Sequence, residues 1–274
     1  MEHVHPVTER FEQASPFEFQ ARSIDGDPVL MARHYRLRYQ VYCLEREFLH
    51  AGDYPDERER DEFDGDSVHV GAVDPLGELA GTARVIKPNR RGLPMFRYCT
   101  LFPHVRTFED PGHVAVEVSR VSISRHYASR GDGAPAGVES TDAAGAAARA
   151  FQRRRRRTEP FLTLMKAVVQ GAKLANATHL IGATDAALHR WLVHYGFPYR
   201  VSGPGVDYYG LVAPCIMSLI ELDQVILAGK FRSLEGFPVG WDPTLWPGYH
   251  GYADSGALMP ADGAVLSGSQ VLHV

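Results

Sequence analysis

The chain has little cysteine, little net charge and no long apolar run, and each shortage removes a class of protein. Cys43, Cys99 and Cys215 are the only cysteines in 274 residues. They are widely spaced, odd in number and make no CxxC pair, so neither a disulfide framework nor a structural zinc site is expected. A net charge of -4 and a pI near 6.3 argue against general nucleic-acid affinity. No stretch reaches the ~18 apolar residues of a membrane span, and residues 1–13 mix charges and histidines without the apolar centre of a signal peptide. No repeat appears at any period. The expectation that remains is a cytoplasmic globular protein. Its 45% apolar content supports a sizeable core, and one domain of roughly 200 residues with tails suits the length better than two domains.

What the sequence does have is charge in places that disfavour it. Arg38 and Tyr42 fall on a predicted helix, followed by Glu59-Arg60-Asp61-Glu62-Phe63-Asp64. Arg84 interrupts an apolar strand, and Glu117-Val118-Ser119-Arg120 interrupts another. Charges recurring in strands are costly unless they pair with one another, and active sites are where perturbed charges gather. A wholly structural ion-pair network is the alternative.

Asp27-Pro28 predicts a helix start, an N-cap acid followed by proline at the first helical position. Leu30, Leu37 and Val41 supply the apolar stripe, and Arg38 and Tyr42, four apart, share a face. Ser67–Val73 and Glu78–Ile86 read as strands joined by a turn at Asp74-Pro75-Leu76-Gly77, and Val114–Ile123 as a third. Residues 130–158 are biased toward Gly, Ala, Ser and Asp and close on the run Arg153–Arg157, which predicts a flexible insertion. A helix is expected from Pro160 to about Ala175, a strand over His179–Ala183, a second helix over Ala186–Tyr195, and one or two strands over Asp207–Leu222, broken at Pro214. From Gly229 the apolar period fades, so 229–274 is expected as a poorly ordered tail, and 1–15 as a flexible start. The organisation is one domain over 16–228. Its class is α/β (α+β), a central mixed β-sheet with helices on both faces.

The pattern Arg38-x-x-x-Tyr42, Phe48, Glu59-x-Asp61-x-x-Asp64, Arg84 and Glu117-x-Ser119-Arg120 resembles the autoinducer (acyl-homoserine lactone) synthases of GNAT fold. Those enzymes carry phenylalanine where Tyr42 stands and tryptophan where Phe48 stands. Farther on, Leu192-Val193-His194-Tyr195-Gly196-Phe197, Gly203-Pro204, Asp207-Tyr208-Tyr209-Gly210 and Ala213-Pro214-Cys215 resemble the PEP-CTERM/exosortase-associated acyltransferases and the long-chain N-acyl amino acid synthases. The similarity runs from about Arg36 to Leu222. It implies a GNAT-like acyltransferase that moves a fatty acyl group from an acyl carrier protein, or from coenzyme A, to the amine of an amino acid or similar small amine. The alternatives are a homoserine-lactone synthase using S-adenosylmethionine and a non-catalytic acyl-binding or regulatory module.

Acylating an amine with a thioester requires a neutral amine held close to the carbonyl, a proton acceptor, and donors for the oxyanion. Glu117 and Glu59 are the candidate bases, with Ser119 and Arg120 beside them. Arg38, Tyr42, Phe48, Asp61, Asp64 and Arg84 are the candidate acceptor-binding residues, Arg38 being assigned the acceptor's carboxylate. The resemblance implies a bulge in the strand of Glu117. That bulge also decides Arg120, since simple alternation would turn Arg120 to the opposite face. GNAT enzymes using coenzyme A carry a Q/R-x-x-G-x-G/A loop, and Arg130-Gly131-Asp132-Gly133 lacks its spacing. A carrier protein is therefore the preferred donor, with Arg153, Arg154 and Arg155 as its contact or, in the alternative, as a solvated run of loop charge. No bound cofactor and no metal are expected.

Overall fold

A computed structural model describes residues 19–105, 108, 111–129, 143–234 and 236–247. Asp27 caps helix α1 (Pro28–Tyr39), its carboxylate accepting from the Val29 and Leu30 N–H groups, both at 3.1 Å. The helix turns Leu30, His34, Leu37 and Arg38 inward, then widens into a π-helical turn over Gln40–Glu45, which carries Tyr42. Strands β2 (Ser67–Val73) and β3 (Leu79–Ile86) form a hairpin. Asp74 holds its turn by accepting from Leu76 N–H at 2.9 Å and Glu78 N–H at 2.8 Å, and Gly77 takes the left-handed conformation the turn requires, φ +80°.

These strands sit in one sheet with β1 (Gln20–Ser23), β4 (Ala115–Ile123), β5 (His179–Thr184), β6 (Arg200–Val201) and β8 (Leu211–Ser218), in the order β1-β2-β3-β4-β5-β8-β6, and β7 (Val206–Asp207) pairs β8. Every pairing is antiparallel except β4 with β5, so the sheet is mixed. The short α2 (Pro94–Tyr98) precedes β4, the short α3 (Arg125–Ser129) follows it, and α5 (Ala186–His194) follows β5. Helix α4 (Ala143–Leu174) covers one face of the sheet, where Leu164, Val168, Val169 and Ala172 pack with Val70, Ala83, Val85, Val116 and Leu180. The other face carries α1, through Leu30 and Leu37, and α2, through Met95. Helices therefore lie on both faces, as the element order implied. Burying each large aliphatic side chain contributes about 1.5–3 kcal/mol.

Three expectations need correction. Residues 143–158 are not a flexible insertion but the first half of α4, which runs through Arg153–Arg157 and Pro160. Alanine and arginine are strong helix formers, and their density outweighs the hydrogen bond that Pro160 forfeits. Residues 130–142, and the flexible start expected over 1–15, lie outside the described residues. Strand β8 passes through Pro214 and stops at Ser218, whose hydroxyl accepts from Glu221 N–H at 3.3 Å and starts helix α6 (Leu219–Ala228) instead of further strand.

The expected tail is also part of the domain as far as Trp246. Phe237, Val239, Trp241 and Trp246 are buried. Lys166 of α4 donates to the Val239 carbonyl, and Lys173 donates to the Leu245 carbonyl at 2.9 Å and to Asp223 at 2.7 Å. The segment is fixed by single aromatics on successive turns, a pattern without helical or strand period. Residues 248–274 lie outside the described residues.

Candidate active site

Strand β4 supplies the centre. Val116 and Val118 face α4, but the next residues on that face are Val121 and Ile123, a spacing of three where a regular strand gives two. The extra residue is a bulge. Thr82 pairs with Ser122 and Arg84 with Ser119, so one residue of β3 opposes two of β4. Arg120 sits in it with φ +53°, a conformation rarely adopted by a non-glycine residue. The flip in phase brings Arg120 to the same face as Glu117 and Ser119 (the face of α1).

On that face three arginines and three acids alternate in a closed ring. Arg38 Nε donates to Glu59 at 2.5 Å and its Nη1 to Asp64 at 2.5 Å. Arg84 donates to Asp64 at 2.9 Å and, through both Nη atoms, to Asp61, the Nη2 bond being 2.7 Å. Arg120 donates from Nη2 to Asp61 at 3.1 Å and from Nε to Glu59 at 3.2 Å, which returns to Arg38. Each acid is shared by two arginines and each arginine by two acids. The acids are presented by a loop that bonds to itself: Asp64 accepts from Asp61 N–H at 2.8 Å, and Asp61 from Phe63 N–H at 2.9 Å. Arg84 Nε also donates to Ser119 Oγ at 2.9 Å. Burial alone would raise the Asp64 carboxyl, but the hydrogen bond from His69 and the guanidiniums of Arg38 and Arg84 hold it well below the usual carboxylate range.

Glu117 is the acid left out of the ring. It is 4% exposed, and its Oε2 accepts from the Met95 backbone N–H at 2.7 Å. Burial pushes its carboxyl up to about 7, against the lowering influence of that N–H and of Arg84 and Arg120. The pairing of β4 with β5 ends at Glu117–Ile181, while β4 continues to Ile123 and β5 to Thr184, so the two strands part beside it.

The outer wall is aromatic. The Arg120 guanidinium lies 5.2 Å from the Tyr42 ring centre and 5.8 Å from that of Tyr209. Phe48 lies 6.2 Å from Tyr42, and Tyr208 stacks on Tyr98 at 4.5 Å. The structure thus brings together Glu117, Ser119, Arg120, Glu59, Arg38, Tyr42, Phe48, Asp61, Asp64 and Arg84. It does not give Arg38 to an acceptor's carboxylate: Arg38 is completely buried and its bonded donors face Glu59, Asp64 and His34. Glu59, equally buried, accepts from two arginines and so has poor access to a substrate proton. The side chains of Arg153, Arg154 and Arg155 lie outside the described part of the structure.

Sequence reasoning missed two contributors, His34 and Met95. His34, one turn before Arg38 on α1, accepts from Arg38 Nη1 at 3.2 Å and donates from Nδ1 to Thr82 Oγ1 at 2.6 Å, because the Thr82 hydroxyl is spent on the Val70 carbonyl. Burial, with Arg38 and His69 beside it, lowers its pKa to about 2, so it stays neutral. The i, i+4 spacing from Arg38 could have found it. Met95 acts through its backbone, which no side-chain pattern reveals. Among the described residues one trio, His34, Asp64 and His69, is close enough to share a metal ion. Its donor atoms do not fit one, since both His34 nitrogens are engaged and two guanidiniums already occupy the Asp64 oxygen.

Residues 37–133 match the family model described as the Acetyltransferase (GNAT) domain. No curated protein matches the sequence. Among solved structures, TofI in a ternary complex with an inhibitor and MTA is similar with a TM-score of 0.52 and 19% identity, covering 83% of this chain and 99% of TofI. BjaI, a CoA-dependent acyl-homoserine lactone synthase with SAM and isopentyl-CoA, gives 0.49 and 18% over 81% of this chain and 97% of its own. FeeM, an N-acyl amino acid synthase from uncultured soil microbes, gives 0.42 and 13% over 75% and 93%. No helix among the described residues is long and apolar enough to cross a membrane. The fold is that of the GNAT domains, a mixed sheet with helices on both faces, and the domain match supports an acyltransferase.

Proposed function

We propose that the protein is an N-acyltransferase that moves a long-chain fatty acyl group from an acyl carrier protein thioester to the amine of an amino acid or similar small amine. The observation that carries this reading is Glu117, a buried carboxyl with a pKa of about 7, standing where β4 and β5 part and outside an otherwise charge-balanced ring. A carboxylate poised near neutrality is suited to take the one proton that a neutral amine sheds as it attacks a thioester. The amine nitrogen then bonds the thioester carbon, the oxyanion forms, and the C–S bond breaks. The proton held by Glu117 passes to the departing thiolate, so no covalent enzyme intermediate is needed. The bulge at Arg120 frees backbone N–H from the β3–β4 ladder, and that donor is assigned to the oxyanion.

The closed ring of Arg38, Asp64, Arg84, Asp61, Arg120 and Glu59 holds the cleft in shape, and Tyr42, Phe48 and Ser119 line it. A carrier protein is preferred over coenzyme A because the sequence lacks the spaced glycine loop that cradles pyrophosphate. Arg130–Gly133, its nearest match, lies outside the described residues. Arg153, Arg154 and Arg155, on α4, are assigned to the carrier's acidic surface. The motifs over Leu192–Cys215 resemble those of the exosortase-associated acyltransferases, which favours a fatty acyl chain over a short one.

Mass spectrometry of organic extracts from cells producing the protein, beside cells producing Glu117→Gln, tests the reading. New long-chain N-acyl amino acids in the first culture alone are expected. Acyl-homoserine lactones there would instead establish a lactone synthase. Purified protein that acylates no amine from either acyl carrier protein or acyl-CoA, yet binds the acyl thioester, would make it an acyl-binding module.

A further inference from the structure

Two consecutive residues of β4 stand outside the sheet pairing. Ser119 and Ser122 pair with Arg84 and Thr82 of β3, whereas Arg120 and Val121 between them have no β3 partner among the described residues. On the other side, the pairing of β4 with β5 has already ended at Glu117. The bulge therefore takes two carbonyls out of register along with their N–H groups, and a carbonyl turned toward a developing oxyanion would repel it. Both carbonyls carry a side-chain hydroxyl. Tyr42 donates to the Val121 carbonyl at 3.3 Å, and Ser122 donates to the Arg120 carbonyl at 3.3 Å.

We infer that Tyr42 and Ser122 are a pair of carbonyl clamps: they hold both bulge carbonyls so that the N–H edge of the bulge, and not its carbonyl edge, meets the acyl thioester. This rests on the N-acyltransferase reading and adds two positioning residues to it. The argument follows from peptide planarity. The Arg120 C=O and the Val121 N–H belong to one peptide and point in opposite directions, so fixing the carbonyl on Ser122 also aims the N–H. Tyr42 fixes the next peptide through the Val121 carbonyl. Val121 faces α4, so Arg120 and Ser122 on either side of it share the opposite face, where the π-helical turn brings Tyr42. Ser122 is buried there, and burial raises the Tyr42 phenol above its ordinary value, so it keeps the proton it donates. The left-handed φ of +53° at Arg120 is strained for a residue with a side chain and persists only where its surroundings hold it. The two hydroxyls supply that hold. Each bond is long for a hydroxyl donor, so the clamps work as a pair. The autoinducer synthases carry phenylalanine where Tyr42 stands, so the resemblance does not imply this clamp.

The test uses the full chain with Tyr42→Phe, Ser122→Ala and the double variant. Tyr42→Phe keeps the ring beside the Arg120 guanidinium and removes only the hydroxyl. Acylation of amino acids from acyl carrier protein and from acyl-CoA separates kcat from KM, and NMR of deuterated protein reads the carbonyl carbon shifts of Arg120 and Val121. Each single variant should move the shift of the carbonyl it releases and lower kcat roughly 2- to 10-fold, and the double variant on the order of 10- to 100-fold, with KM for amine and thioester unchanged. Carbonyl shifts that stay put in both single variants would overturn the inference. A raised KM at unchanged kcat would overturn it too, because the hydroxyls would then be touching substrate. If the double variant does not fold, the single variants decide. Shifted carbonyl signals in a protein that acylates no amine from either donor would sink the N-acyltransferase reading and leave the clamped bulge standing. Acylation at full rate by the double variant would do the reverse.

Discussion

Among the described residues Glu117 accepts one hydrogen bond, from the Met95 backbone N–H at 2.7 Å, and no arginine of the neighbouring ring donates to it. That single neutral donor lets a buried carboxyl ionise near pH 7 without locking it as an anion. In Glu117→Gln the amide oxygen can still accept from Met95, so the fold should be retained while the proton acceptor is lost. Turnover is expected to fall by a factor on the order of 10² to 10⁴, with an unchanged circular dichroism spectrum. A folded Glu117→Gln protein with full activity would remove the base assignment.

The same carboxyl sets a pH dependence. Activity needs its deprotonated form, so the acylation rate at saturating substrate should rise through about pH 7 and level off above it. Stability should move the other way. The folded-state pKa lies above the usual 4.5, so between pH 4.5 and 7 the folded protein holds a proton that the unfolded chain has released. Stability from this group is complete below pH 4.5 and declines as pH rises toward 7, by roughly 3 kcal/mol. Urea denaturation across this range should show the unmodified protein losing that stability relative to Glu117→Gln as pH rises, since the neutral buried His34 adds the same pH dependence to both. Parallel curves would mean that Glu117 is not the titrating group.

Arg38 is expected to serve stability, not selectivity. Removing it in Arg38→Met breaks the ring at two bonds and leaves Glu59, completely buried, with Arg120 alone. Breaking a buried pair in this way costs about 3–5 kcal/mol. Denaturant midpoints should fall accordingly, while any residual activity loses equally with carboxylate-bearing and simple amine acceptors. A selective loss with carboxylate-bearing acceptors, at unchanged stability, would return Arg38 to substrate binding.

The ring was legible in the sequence because its members break local rules: Arg84 stands in an otherwise apolar strand, and Arg120 stands three residues past a buried glutamate. The bulge was implied by the family resemblance, and the step from Val118 to Val121 is the trace it leaves in the apolar spacing. The division of labour within the ring was not legible. Which arginine is sealed and which lies against the aromatic wall depends on how α1, the 59–64 loop and the β7–β8 turn converge, residues far apart in the chain. Helix α4 was half missed because Arg153–Arg157 and the alanines before it have no apolar face to signal a helix, and Pro160 gave a false start.

The C-terminal segment was misread for a related reason, and it yields the sharpest test of the fold. Phe237, Val239, Trp241 and Trp246 are each placed by a turn; all four are buried, and the three aromatics complete the α4 face of the core. At about 1.5–3 kcal/mol each, their burial totals on the order of 6–12 kcal/mol, comparable with the 5–15 kcal/mol by which a domain is stable at all. Their removal would also strip Lys166 and Lys173 of the Val239 and Leu245 carbonyls they donate to. Burial lowers the Lys166 ammonium to about 8. A chain ending at Gly229 is therefore expected to give no cooperative thermal transition and to aggregate on gel filtration, despite retaining every residue of the ring and Glu117. A truncated chain that melts cooperatively within a few degrees of the full-length protein would mean that the segment rests on the domain without supporting it.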